Sequence, residues 1–192
     1  SMAEGKSLTV FNLGYICAQL GDRVLIVDSD LHRPRQHRIL GIVNTPGLAN
    51  ILVGEVAFEQ AVVHTKVPNL DFLPSGKLPS SSMGVLSSAQ MKELIRDLKR
   101  RYDYVFFDSP PILGVSDGSV LASEVDITIM VVQHRRFPRA MLQRVKQAVV
   151  NVGGRLIGVV LNNVDAKHDE EKGYSYDSAA CYRCHPRGEG DD

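Results

Sequence analysis

An α/β fold, a mostly parallel sheet with helices on both faces, is predicted by three features of the sequence. Short runs rich in Val, Ile and Phe alternate with segments of helical period, two of those runs end in aspartate, and a Gly-Lys-Ser triplet opens the first helical segment. Val10, Leu13, Cys17 and Leu20 recur on one side of a helix that should stop at Gly21, where glycine tolerates a left-handed cap. Val24 to Val27 then reads as a buried strand, and another is expected near Leu70 to Leu73. Met91, Leu94, Ile95 and Leu98 follow the i, i+3, i+4, i+7 pattern of a helix, which feeds the strand Tyr104 to Phe107 ending at Asp108. Leu142, Val145, Val149 and Val152 mark a helix starting near Pro138, between strands at Ile127 to Val132 and Leu156 to Leu161.

From about Asp165 the apolar pattern lapses, so too little surface remains to offset the entropy of ordering. The expected organisation is a domain over 1–164 followed by a flexible, tyrosine-containing tail over 165–192. A length of 192 residues suits one domain with a full core. The 22 basic residues balance the 22 acidic ones, which gives no support for nucleic-acid binding. No apolar run reaches the ~18 residues of a membrane span, and no signal segment opens the chain. Cys17, Cys181 and Cys184 do not make a disulfide framework, and together these features point to the cytosol.

Glu4-Gly5-Lys6-Ser7 matches the second half of the Walker A pattern, in which backbone N–H groups at a helix N-terminus hold phosphate oxygens. Gly5 lets the backbone approach phosphate, Lys6 brings a point charge to the β- and γ-phosphates, and the Ser7 hydroxyl suits Mg²⁺. The first glycine of the pattern falls ahead of Ser1, so the chain is expected to be truncated within the phosphate loop and to lack the first strand. Asp28 and Asp30 close one apolar run and Asp108 closes another, at the sheet edge where α/β ligands sit. Such carboxylates suit Mg²⁺, although an aspartate after a strand can equally cap the segment that follows.

Gly5-Lys6-Ser7, Asp28-Ser29-Asp30-Leu31-His32-Arg33-Pro34 and Tyr102 to Pro111 resemble Walker A, Walker A′ and Walker B of the bacterial tyrosine kinases of exopolysaccharide assembly. Asn44-Thr45-Pro46-Gly47-Leu48, Leu73-Pro74-Ser75-Gly76, the Asp117 segment and Gly158 to Asn162 extend the likeness over residues 1 to about 165. The resemblance implies a P-loop NTPase fold and ATP with Mg²⁺ as cofactors. It implies that Lys6 neutralises phosphate charge, that Ser7, Asp30 and Asp108 hold the metal directly or through water, and that Asp28 orients or deprotonates an acceptor tyrosine. Glu4, Gly5, Lys6, Ser7 and Leu8 would form the nucleotide cradle, and Asn162 or Asn163 resembles the adenine-contacting position. It implies, too, autophosphorylation of tail tyrosines, here Tyr174, Tyr176 and Tyr182, in trans within a homo-oligomeric ring. A membrane-anchored chain-length-determinant activator would recruit the cytoplasmic protein to the inner face of the membrane.

Leu8 stands where that family usually has threonine, and His32 where it has arginine. The competing readings are a switch ATPase of the partitioning and division-site type, whose signature lysine would fall at Ser1, and a non-catalytic nucleotide-binding scaffold. Cys181-Tyr182-Arg183-Cys184-His185 fits a haem-attachment or zinc pattern, but unpaired tail residues are the favoured reading. Arg135, Arg136, Arg139 and Arg144 read as a solvated face, and His37 and His64 as surface residues without a metal-binding neighbour.

Overall fold

The computed structural model describes residues 4–77, 84–112 and 116–164. The tail tyrosines, His168, Cys181, Cys184, His185 and the side chain of Asp117 lie outside the described residues. One compact unit spans Ser1–Asn162; of a second, Asn163–Asp192, only Asn163 and Val164 are described.

Helix α1 (Lys6–Gln19) leads to strand β1 (Val24–Asp28), and short helices α2 (Gln36–Leu40), α3 (Leu48–Leu52) and α4 (Phe58–Ala61) follow. Strands β2 (Val63–His64) and β3 (Leu70–Leu73) come next, then a 3-10 turn, α5 (Ala89–Arg101) and β4 (Tyr104–Asp108). Helix α6 (Ser116–Glu124), β5 (Thr128–Gln133), α7 (Arg139–Asn151) and β6 (Leu156–Asn162) complete the unit. The short α2, α3, α4 and β2 were not expected, because four or five residues are too few to display a period.

All five residues of β1 are buried, and they alternate between two cores. Leu25 and Val27 pack with Met91, Leu94, Ile95 and Leu98 of α5, while Val24 and Ile26 pack with Ala18 of α1 and Phe72 of β3. Helices therefore cover both faces, as the continuous apolar run of β1 requires. Val10 and Cys17 of the expected stripe pack against this second core, and Leu20 is the member of the stripe that does not. Gly14 and Ala18 are its buried positions, and Leu20 is 78% exposed as the helix cap. A Cβ on Gly14 would lie 2.9 Å from the Ile26 side chain, so the small residues let α1 lie close on β1.

Strand order in the main sheet is β2-β3-β1-β4, parallel except for β2. Its register is clamped where the strands begin. Arg23 donates from its backbone N–H and its guanidinium to Asp103, and the Asp103 N–H returns a bond to the Arg23 carbonyl at 2.9 Å. That clamp places Val24 opposite Tyr104 and, at the far end, Asp28 opposite Asp108.

Strands β5 and β6 form a separate parallel pair. The expected first strand has no counterpart among the described residues, and the sheet is split between β4 and β5 by a cavity of about 540 Å³. Val105 and Phe107 of β4 face it across from Ile129 and Val131 of β5. The split explains why β4 is only partly buried, with Tyr104 48% exposed, whereas β1 is covered throughout.

Two of the segments that carried the family resemblance form a joint. Leu48 and Ala49 donate backbone N–H bonds to the carbonyls of Pro74 and Ser75, and Gly76 donates to Asn44. The Asn44 amide returns a bond to the Gly76 carbonyl at 3.0 Å, and the Ser75 hydroxyl donates to the Asn44 side-chain oxygen. A Cβ on Gly47 would come 2.3 Å from both the Pro74 carbonyl oxygen and the Gly76 nitrogen, so only glycine closes the joint. Gly47→Ala is expected to lower unfolding free energy by about 1–3 kcal/mol through overpacking against backbone. Denaturant unfolding checks this, with Gly54→Ala, where a Cβ meets nothing within 4 Å, as the open-space comparison.

Candidate functional site

Because β1 and β4 run parallel and in register, Asp28 and Asp108 end neighbouring strands with their side chains on one face. Neighbouring strands are about 4.8 Å apart, so two carboxylates meet at the carboxyl edge of the sheet. Both are buried, Asp28 completely. Ser29 extends the link, donating from its hydroxyl (2.8 Å) and its N–H (3.0 Å) to the Asp108 carbonyl.

Asp28 also caps the segment that follows it. Its Oδ2 accepts the N–H groups of Arg35 and Gln36 at 3.0 Å each, and its Oδ1 accepts that of Asp30 at 3.3 Å. Burial, and then repulsion from Asp108, outweigh these three donors and push Asp28 up to about 7. Burial raises Asp108 as well, against hydrogen bonds from Ser7 and Gln36 and the charge of Lys6, with Asp30 adding repulsion. The two carboxylates thus share a dry site that holds protons more tightly than free aspartates do.

The phosphate loop lies over this pair. Gly5 adopts φ 87°, a left-handed conformation that favours glycine, and α1 begins at Lys6. A Cβ there would also strike Asn162 Nδ2 at 2.0 Å. Asn162, at the end of β6, donates that amide nitrogen to the Glu4 carbonyl at 3.0 Å, tethering the loop. Lys6 Nζ donates to Glu4 Oε2 at 3.0 Å, so an arriving polyphosphate would compete with an internal ion pair.

Lys6, Ser7, Asp30 and Asp108 all line one cavity of about 770 Å³. Glu4, Gly5, Leu8 and His32 line it too, and Arg33, Arg35 and Arg38 bring positive charge to it. Asp28 stands directly behind, walled off by the start of α2, and its carboxylate is committed to that backbone. Asn163 follows the last strand with a left-handed φ of 56° and belongs to the second unit. The slot between β4 and β5 is a different cavity, lined on its sheet side mostly by apolar strand residues and not by either of the paired carboxylates.

These residues fit a nucleotide with a divalent cation. The Ser7 hydroxyl and the Asp108 carboxylate are adjacent hard oxygens, and a cation would relieve the repulsion between Asp108 and Asp28. Among the described residues no three His, Cys, Asp or Glu side chains converge as a chelating group. The ion would therefore draw its other ligands from water and phosphate, the habit of magnesium.

One functional neighbour was missed by sequence reasoning. Gln36 is fully buried and donates from Nε2 to both the Ser7 carbonyl (2.8 Å) and Asp108 Oδ2 (3.1 Å). A single glutamine after Arg-Pro-Arg carries no local signal, because its burial depends on β1 and α1 meeting over it.

The phosphate loop at a helix start, with aspartates ending two adjacent parallel strands, defines a P-loop nucleotide-binding domain. The model of the AAA domain matches residues 3–156. The tyrosine-protein kinase YwqD of Bacillus subtilis (strain 168) is 36% identical over 89% of this chain and 72% of its own. The kinase domain of VpsO superposes with a TM-score of 0.80 at 34% identity, covering 85% of this chain and 81% of the other. The septum site-determining protein MinD of Pyrococcus horikoshii, in complex with Mg-ADP, shares the fold at 24% identity and a TM-score of 0.69 over 84% of this chain and 66% of the other. The chain belongs to the bacterial tyrosine-protein kinase family.

The raised carboxylate has a consequence for stability. In the unfolded chain Asp28 titrates near its ordinary value, so between about pH 4 and about pH 7 the folded state holds the extra proton. The Asp28 contribution is therefore fully present below that window and is lost as pH rises through it, on the order of 4 kcal/mol in total. Asp28→Asn should flatten that limb, and unfolding free energies measured across pH 4 to 8 check it.

Proposed function

We propose that this chain is a protein-tyrosine autokinase that transfers the γ-phosphate of ATP, with Mg²⁺, to Tyr174, Tyr176 and Tyr182 in the tail of a neighbouring copy. Its output is control of exopolysaccharide chain length and export. A membrane-anchored chain-length-determinant protein activates it, and the working form is a ring of copies at the inner face of the membrane. The observation that carries the reading is the gathering of Lys6, Ser7, Asp30 and Asp108 around one cavity with Asp28 behind it.

Phosphoryl transfer is catalysed chiefly by positioning and charge neutralisation. Lys6 leaves Glu4 for the β- and γ-phosphates, and the N–H groups that begin α1 hold their oxygens. Ser7 and Asp108 would hold the metal ion, with Asp30 contacting it through water. The bound cation supplies neutralisation of the charge that builds on the transferred group. Asp28, near neutrality, has the proton affinity of a base suited to the tyrosine hydroxyl. Opening of the loop at Arg35 and Gln36 would expose it. Arg33, Arg35 and Arg38 suit an acceptor whose sequence carries Asp169, Glu170 and Glu171 shortly before Tyr174.

The test is incubation of the whole chain with labelled ATP, Mg²⁺ and activator. Phosphotyrosine in the tail is the expected product; free phosphate alone would make the chain a switch ATPase, and neither would make it a scaffold. Lys6→Met should lower phosphotyrosine formation by at least ~100-fold through lost charge stabilisation. Replacing Tyr174, Tyr176 and Tyr182 together by Phe should remove the phosphorylated tail while leaving nucleotide binding intact, as read by immunoblot and equilibrium titration.

A further inference from the structure

Gln36 joins three parts of the site. Its backbone N–H caps Asp28 at 3.0 Å, while its side-chain Nε2 donates at 2.8 Å to the Ser7 carbonyl in the first turn of α1 and at 3.1 Å to Asp108 Oδ2. Both amide hydrogens are thereby used. The orientation of the amide is fixed by its surroundings, since turning it over would set its oxygen against the Ser7 carbonyl, which can only accept. Its own oxygen, Oε1, is then buried without a donor among the described residues.

A buried carbonyl left unpaired costs stability that an apolar side chain would not, so the position is tolerated for what its other end does. That end touches Asp108, which would hold the metal, and the backbone of Ser7, whose hydroxyl would share it. Two groups on separate elements, a strand end and a helix start, must present oxygens to one small octahedral ion with little tolerance in distance. Their shared contact is the forked amide of Gln36. The orphan oxygen can receive a hydrogen bond from a water, and water bound to a cation is an obligate donor.

We propose that Gln36 is a positioning residue for the divalent cation: it fixes the Asp108 carboxylate relative to the first turn of α1 and so sets how tightly the metal is held with nucleotide. It touches no reacting atom. This inference rests on the nucleotide-and-metal reading of the same cavity.

The experiment follows binding without turnover. The whole chain is titrated with the fluorescent nucleotide methylanthraniloyl-ADP, first without metal and then across a range of MgCl₂. Gln36→Met, an unbranched apolar replacement of similar length, should raise the half-saturating Mg²⁺ concentration by about tenfold, the usual cost of losing a ligand's outer partner. Metal-free nucleotide affinity should change by less than about twofold, because Lys6 and the loop backbone are untouched. A residue that merely filled the core would weaken both alike, or neither.

A double-mutant cycle guards against simple misfolding. In an Asp108→Asn background, where the ligand is already impaired, Gln36→Met should add little to the Mg²⁺ requirement. Full additivity of the two substitutions, or an unchanged Mg²⁺ requirement in folded Gln36→Met, overturns the proposal while leaving the nucleotide site standing. Failure of the unsubstituted chain to bind the nucleotide with Mg²⁺ would defeat both readings. Far-UV circular dichroism confirms that each variant is folded, and Gln36→Leu repeats the measurement should Gln36→Met unfold.

Discussion

The site depends on one juxtaposition, two aspartates brought side by side in a dry place by the pairing of β1 with β4. Like charges at that spacing repel, and burial takes away the water that would screen them. Folding offsets the cost with three backbone N–H donors to Asp28, hydrogen bonds from Ser7 and Gln36 to Asp108, and the nearby charge of Lys6. All of these are donors or cations that stabilise the carboxylates, and a bound divalent cation would add to the same neutralisation. The register clamp between Arg23 and Asp103, at the opposite end of the same strands, keeps the two carboxylates level.

Much of the frame was legible in the sequence because long periods and buried strands write themselves into it. The expected face of α5, Met91, Leu94, Ile95 and Leu98, is the buried face, and the strand expected at Leu70 to Leu73 has those bounds. The stripe assigned to α1 holds at Val10 and Cys17, which pack against the core, but not at its end. Leu20 stands in solvent, and the most deeply buried positions are Gly14 and Ala18, since close approach to Ile26 selects for small side chains that a hydrophobicity pattern does not flag. The short helices between β1 and β3 escaped for a different reason: capping and the joint of Asn44 to Leu48 with Pro74 to Gly76 hold them, and neither leaves a periodic trace.

Within the site, residue types that announce chemistry were easy to find, and their neighbours were not. Lys6, Ser7, Asp30 and Asp108 were singled out by motif and do line one cavity. Asp28 was singled out as well, yet both weighed readings of it have a physical counterpart: it sits beside the cavity and also caps the start of α2. Asn162 was expected near a nucleotide base, and its amide nitrogen bonds the Glu4 carbonyl. Gln36 was invisible, because a neutral amide acquires meaning only from what packs around it.

The break in the sheet between β4 and β5 bears on how the phosphate loop is supported. Among the described residues the loop is held from its flanks, by α1 lying against β1 and β4 and by the Asn162 tether from β6. A cradle braced sideways resists lateral shift better than it resists sinking. Whatever fills the seam from below would therefore act as a floor, stiffening the backbone donors that must meet phosphate without altering any of the groups that touch it.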